Sequence, residues 1–259
     1  MKKKIKCAWF DFACCEGCQV ELTNFGEPFL KLLENIEPVE FREVMKEQTD
    51  EPIDISFVEG SFTREADRQR LLDIRERSKI VVAYGSCATS GGINALKNHM
   101  EMDEVKEFVY GKDSKMPHLD TQEAKPVASV IKVDYLIRGC PISREEFVRV
   151  VTQLINGTEK VYIPSYPVCV ECKRRNTVCL YEQGGHCMGM VARAGCGAPC
   201  PANGIPCEAC RGLVDNPNME ALEKVLQENG GLSKKRAERK TRIFAANFES
   251  GSECRKLEM

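Results

Sequence analysis

The chain has 259 residues, 42% of them hydrophobic and 29% charged, with a formal net charge of −2 at pH 7. This is the composition of an ordinary globular protein of one large or two smaller domains, and it excludes the strongly basic footprint of a dedicated nucleic-acid binder. No apolar run is long enough to span a membrane, and Asp11 interrupts the opening MKKKIKCAWFDF well short of a signal-peptide core, so a cytoplasmic protein is expected.

Taken in chain order, Ile5–Phe12 reads as a first strand, rich in aromatic and branched residues, and FACCEGC follows it. Ile53–Val58 reads as a second strand. A helix over Glu65–Arg77 comes next, with Thr63 as its N-cap. Lys79–Tyr84 is a third strand, ending in Gly-Ser-Cys at residues 85–87. Val133–Ile137 is a fourth, ending in Gly-Cys-Pro at residues 139–141, and Ser143 caps a helix over Arg144–Ile155. This alternation predicts a doubly wound parallel α/β sheet over residues 1–157. Ligands of such sheets bind outside the carboxyl ends of the strands, so Cys15, Cys18, Cys87 and Cys140 are expected on one rim. The role of Cys14 stays open, although the chelate of Cys15 and Cys18 is sterically the easier one. Cys7, inside the first strand, reads as a small apolar filler.

The pattern changes near Val161. Residues 158–212 form a second unit: YIPSYPVC is a proline-punctuated linker, and residues 169–210 hold eight of the fifteen cysteines. Glycine and proline break the segment into loops, which a bound metal would have to staple. Residues 213–259 read as a charged helical tail. In it Ser233 starts the basic helix KKRAERKTR, read as a solvated face, and Cys254 reads as a free thiol.

A reducing cytosol disfavours disulfides, and clustered cytosolic cysteines bind metal more often. The eight thiols Cys169, Cys172, Cys179, Cys187, Cys196, Cys200, Cys207 and Cys210 suffice for two four-cysteine sites. Zinc accepts such sets, and so do iron–sulfur clusters, whose motifs often contain Cys-Pro. A Cys-x-x-Cys after a first strand also fits a thioredoxin-like redox motif, which leaves the later Gly-Ser-Cys and Gly-Cys-Pro unexplained. His99, His118 and His186 read as ordinary polar residues. No Ser-His-Asp constellation and no G-x-G-x-x-G or Walker motif is present, so flavin, nucleotide or NAD binding by this chain has no support.

The combination CEGC (15–18), VEGS (58–61), GSC (85–87) and GCP (139–141) resembles the small, electron-transferring subunit of [NiFe] hydrogenases. The related 20 kDa-type cluster-bearing subunit of respiratory complex I shares part of the pattern. CLYEQGGHC, then AGC, CP and CEAC, looks like the C-terminal half of the hydrogenase subunit, and the likeness covers roughly residues 5–212. It implies a flavodoxin-like sheet domain followed by a small loop-rich cluster domain. By the resemblance, Cys15, Cys18, Cys87 and Cys140 hold a proximal [4Fe–4S] cluster, Cys196, Cys200, Cys207 and Cys210 a medial one, and Cys169, Cys172, Cys179 and Cys187 a distal one.

Many exported members carry a histidine at the first distal ligand and a proline at one medial ligand. This chain has Cys169 and Cys200 there and no long twin-arginine leader, which looks like the cytoplasmic hydrogenases. The resemblance implies a separate large subunit holding the nickel–iron centre and a further iron–sulfur or flavin subunit that accepts electrons, with no nucleic acid and no membrane span. A complex I-like oxidoreductase subunit and a zinc-stapled interaction protein are the rival readings.

Overall fold

The computed structural model describes residues 4–112, 118, 120–158 and 160–247; Cys254 lies outside them. The strands are β1 (Ile5–Asp11), β2 (Ile36–Phe41), β3 (Ile53–Glu59), β4 (Phe62–Arg64), β5 (Ser78–Tyr84), β6 (Thr121–Lys125) and β7 (Tyr135–Ile137). The sheet-half helices are α1 (Gly17–Thr23), α2 (Glu27–Leu33), α3 (Arg68–Arg77), α4 (Gly85–Ser90), α5 (Met102–Tyr110) and α6 (Arg144–Ile155). The C-terminal half holds α7 (Val168–Arg174), α8 (Pro199–Ala202), α9 (Met219–Glu228) and α10 (Lys234–Arg242). β2, β1, β3, β5 and β7 form one parallel sheet in that order, and β4 pairs with β6 antiparallel beside it. With the side pair set aside this is the flavodoxin-like order, whose topological switch lies between β1 and β3.

Both faces of the sheet are covered, and β1 shows why. Its alternation sends Cys7 and Trp9 to one face, against Leu22, Phe29, Phe147 and Val150 of α1, α2 and α6. Ala8 and Phe10 go to the other face, against Leu71 and Ile74 of α3. Trp9 is in register with Phe41 on β2 and Phe57 on β3 and stacks on them at 4.6 and 5.0 Å between ring centroids. Aromatic cross-strand neighbours of this kind fix register as well as burying area.

Several sequence expectations need correction. β2 was not among the expected strands; it carries Pro38, and as an edge strand it tolerates the missing N–H of proline. Thr63 does not cap a helix. It is buried within β4, and a 3-10 turn over Glu65–Asp67 leads into α3. The Ser143 cap is present, its hydroxyl accepting from the Glu146 N–H at 3.3 Å. Ser233 stands at the start of α10 without a side-chain cap bond.

A separate core holds the C-terminal half. Val168, Leu180, Met188, Val191 and Leu213 pack with Leu222 and Leu226 of α9 and Ala237 of α10. The chain then returns to the sheet half. The Asn247 side-chain amide donates to the Ser90 and Ala124 carbonyls, each at 2.9 Å, and accepts from Asn98 at 2.9 Å.

Candidate metal centres

The first cysteine group is assembled by four strand ends. Gly60 lets β3 approach Phe12 so closely that an added Cβ would stand 2.6 Å from its carbonyl carbon. There Ser61 and Ala13 exchange backbone hydrogen bonds at 3.0 and 3.3 Å, and Asn94 donates to the Ala13 carbonyl at 2.7 Å. This fixes the loop carrying Cys14 and Cys15. The Glu59 carboxylate, 2% exposed, accepts from the Cys18 and Gln19 N–H groups at 3.1 Å and so caps α1. Burial raises its pKa and those two N–H groups oppose the rise. At the β5 and β7 ends, the Ser86 N–H donates to the Gly139 carbonyl at 2.7 Å, tying the Cys87 loop to the Cys140 loop.

Cys15, Cys18, Cys87 and Cys140 meet on this rim. Burial raises the pKa of Cys87 to about 12 and that of Cys140 above its ordinary value; Cys15 acts on both, and Cys140 on Cys87. Cys18 is also raised, by burial first, with Cys140 among its neighbours. Cys14 is close by, pushed up to about 12 by burial, with Cys87 acting on it. Cys7 is fully buried within β1.

The eight C-terminal cysteines separate into two groups that touch. Cys169 and Cys172 lie one turn apart on α7, Cys179 precedes the 3-10 turn Leu180–Gln183, and Cys187 follows it. Burial raises Cys169 to about 11, and Cys187, Cys172 and Cys179 all add to the rise. Cys200 sits on α8 and acts on Cys196, while Cys207 feels Cys187 of the Cys169 set before Cys210 and Cys196 of its own. The groups adjoin through Cys196, which acts on Cys172, and through the Cys207 N–H, which donates to the Cys187 sulfur at 3.3 Å. Cys210, raised by burial to about 11, receives the Cys140 N–H and so adjoins the strand-end group.

The donor set fits iron–sulfur clusters. Iron–sulfur clusters are held by sets of four cysteine thiolates, and twelve described cysteines provide them. A four-iron cubane takes one thiolate per iron, so its ligands stand farther apart than those of one zinc. The backbone leaves room beside the thiols. A Cβ on Gly85, whose φ is +83°, would stand 2.7 Å from the Cys18 sulfur, and one on Gly92 would stand 3.0 Å from the Cys87 sulfur. Backbone N–H groups also aim at sulfur: Gly189 donates to Cys187 at 3.4 Å, and Ala198 and Ala209 donate to Cys196 and Cys207. Such N–H···S bonds help set cluster potentials.

Backbone strain marks the same places. Among the described residues the non-glycine positions with positive φ are Glu16, Asn176, Ala198 and Ala209, at +53° to +59°. Each lies between two cysteines of one group. Left-handed backbone costs an L-residue roughly 1–2 kcal/mol, and it persists where surrounding structure over-determines it.

Sequence reasoning missed the charged residues that hold these loops. Glu171 lies between Cys169 and Cys172 and is 9% exposed. It accepts from the Gly195 and Gly197 N–H groups at 2.9 and 3.0 Å and thereby grips the Cys196 loop. Glu59 and Arg211 are comparable. The available signal was a charged residue in an otherwise apolar or glycine-rich run, beside cysteine for Glu171 and Arg211 and before Gly60 for Glu59.

A parallel sheet whose strand ends collect four cysteines, followed by a loop-rich stretch carrying eight more, is an arrangement suited to iron–sulfur clusters. The family described as NADH ubiquinone oxidoreductase, 20 Kd subunit, matches residues 15–154. A component of the F420-non-reducing hydrogenase Vhu from Methanocaldococcus jannaschii is 34% identical, over 82% of this chain and 83% of its own. Sulfhydrogenase 2 subunit delta from Pyrococcus furiosus is also 34% identical, over 93% and 99%. The actinobacterial-type NiFe-hydrogenase from Ralstonia eutropha H16 shares the fold, with a TM-score of 0.59, 16% identity and coverage of 96% of this chain and 92% of that one. The chain belongs to the NADH ubiquinone oxidoreductase 20 Kd subunit family and, within it, to the hydrogenase subunits. Among its described residues no helix is long and apolar enough to cross a membrane.

Proposed function

We propose that the chain is the electron-transferring small subunit of a cytoplasmic [NiFe] hydrogenase. It relays electrons between the nickel–iron site of a partner large subunit and a further iron–sulfur or flavin subunit that reduces a soluble carrier. Cys15, Cys18, Cys87 and Cys140 hold the proximal [4Fe–4S] cluster, Cys196, Cys200, Cys207 and Cys210 the medial one, and Cys169, Cys172, Cys179 and Cys187 the distal one. When bound, the clusters supply one-electron redox chemistry. The protein contributes thiolate ligands, N–H donors to sulfur and burial, which together set potential. Residues 1–157 serve as the proximal-cluster domain, residues 158–212 as the two-cluster domain, and residues 213–259 begin with the helices that close the second core.

The observation that carries this reading is the order of contact. The Cys140 N–H donates to the Cys210 sulfur, and the Cys207 N–H donates to the Cys187 sulfur at 3.3 Å, so each group adjoins the next. Exposed Val20 and Ile93 flank the strand-end group, with 42% and 50% of their surface accessible, and support burial of that rim against the large subunit.

The test is a metal and sulfide count on anaerobically purified protein. Roughly twelve iron and twelve sulfide per chain are expected for three four-iron clusters. Stoichiometric zinc without sulfide would instead establish the zinc-stapled alternative.

A further inference from the structure

Between the first and second cysteine groups lies a buried ion pair whose two residues are not among the cysteine ligands. Arg211 follows Cys210 directly and is 2% exposed, and Glu146 on α6 is also 2% exposed. The guanidinium donates one hydrogen bond to the carboxylate, Nη2 to Oε1 at 2.8 Å, and Nη1 stands 2.7 Å from Oε2 as an ion-pair contact outside hydrogen-bond geometry. Its other hydrogen bonds go to main chain. Nε donates to the Ala194 carbonyl at 2.8 Å, and Nη1 donates to the Arg138 carbonyl. Ala194 stands two residues before Cys196, and Arg138 two residues before Cys140. One side chain therefore ties together the approach to a medial ligand, the approach to a proximal ligand and the residue after a second medial ligand.

The surroundings are shaped to admit it. Gly195 has φ +119°, and a Cβ there would stand 2.9 Å from the Arg211 Cζ and 3.0 Å from the Glu146 Oε1. Ser86, next to Cys87, donates its hydroxyl to the Cys210 carbonyl across the same junction. Arg149 reaches Glu146 at 3.4 Å from a more exposed position. Desolvating both partners offsets much of the mutual attraction of a buried ion pair, and apolar residues of similar volume often serve stability as well or better. The ion pair is therefore weak evidence for stability in itself, and its place between the two cysteine groups points to a role in holding and charging that junction. Arg211 is bonded directly to Cys210, and its Nε is held at 2.8 Å from the carbonyl two residues before Cys196, so the cation is fixed beside both stretches of chain that carry these sulfurs.

We infer that Arg211 and Glu146 are positioning residues of the relay, docking the medial loop on the proximal one and setting the medial potential through the imbalance of their charges. Arg211 lies beside the ligands and Glu146 is held on the sheet-half helix behind it. Reduction adds negative charge to a cluster, and a nearby cation favours the reduced form, so net charge is one of the determinants of its potential. The inference rests on the three-cluster reading of the preceding subsection.

The test is a redox titration of the purified, assembled complex, followed by low-temperature electron paramagnetic resonance. The medial signal is assigned by its loss in Cys200→Ser. Arg211→Gln should shift the medial midpoint downward, and Glu146→Gln, which leaves the cation unbalanced, should shift it upward. Arg211→Lys keeps the charge without the fork and should hold the midpoint near wild type. Opposite signs in the two glutamine variants are what a merely structural pair would not give. Shifts of the same sign, or none, in variants that retain three clusters would overturn the inference. If Arg211→Gln does not accumulate, Glu146→Gln decides alone: an upward shift upholds the inference, and an unchanged or downward one overturns it. Absence of a medial cluster signal from the wild-type complex would instead refute the underlying relay reading, and this inference with it.

Discussion

Gly85 shows how narrowly single positions constrain the strand-end group. Its positive φ and the 2.7 Å approach of a would-be Cβ to the Cys18 sulfur leave no room for a methyl group. Gly85→Ala should cost at least the roughly 1–2 kcal/mol of left-handed backbone. It should also lower iron content by about four per chain, one cluster's worth, while the two C-terminal groups keep theirs; an unchanged iron count would show that the proximal set closes elsewhere. Titration gives a second residue-scale expectation. In iron-free protein, burial holds Cys14 and Cys87 at about 12, above the ordinary 9.0. A group whose folded pKa is raised contributes stability below its unfolded pKa and loses it as pH rises toward the folded one. The melting temperature of the iron-free sheet half should thus fall between pH 9 and about 12, and less steeply in Cys14→Ala. Equal slopes in the two proteins would contradict the assignment of that loss to buried thiols. The cysteines themselves were legible because their spacing survives in one dimension. Glu59, Glu171 and Arg211 were not, since each acts on a loop distant in sequence: Glu59 on Cys18, Glu171 on Gly195 and Gly197, Arg211 on Glu146.

At the scale of elements, β1, β3 and β5 were readable because parallel strands buried on both faces are near-continuous apolar runs. α6 was readable because its serine cap and apolar face agree. β2 was hidden by Pro38 and its charged neighbours, which an edge position allows. The start of α3 was misplaced because the Thr63 cap signal is spent inside β4. Residues 213–259 read as a charged helical tail and α10 within it as a solvated face, yet Leu222 and Leu226 of α9 and Ala237 of α10 complete the second core. Among these elements α1 offers a direct probe of assembly. Val20 is 42% exposed on it, beside Cys18. Val20→Asp should leave the isolated chain's stability within about 0.5 kcal/mol, as surface changes usually do. It should weaken association with the large subunit by roughly 2 kcal/mol or more, through an unpaired charge buried at the contact. Normal co-purification of that variant would move the interface off this rim.

For the whole molecule, the clusters and the fold are coupled. The sheet half has two extensive cores, one on each face, whereas residues 169–212 contribute few large apolar side chains and are drawn around cysteine. Binding energy at such sites is folding free energy. Chelating the iron should therefore expose residues 169–212 to limited proteolysis before residues 4–112; equal resistance with and without iron would show that α9 and α10 hold the second half unaided. The central claim is that the three cysteine groups form one route for electrons. It is tested most directly in Cys172→Ser, a change in the distal group of the assembled complex, by comparing hydrogen–deuterium exchange with reduction of the co-purifying acceptor subunit. Exchange needs no electron exit from the large subunit, so it should persist near the wild-type rate while acceptor reduction falls severely. Unchanged acceptor reduction, or loss of both activities in an intact complex, would contradict the account.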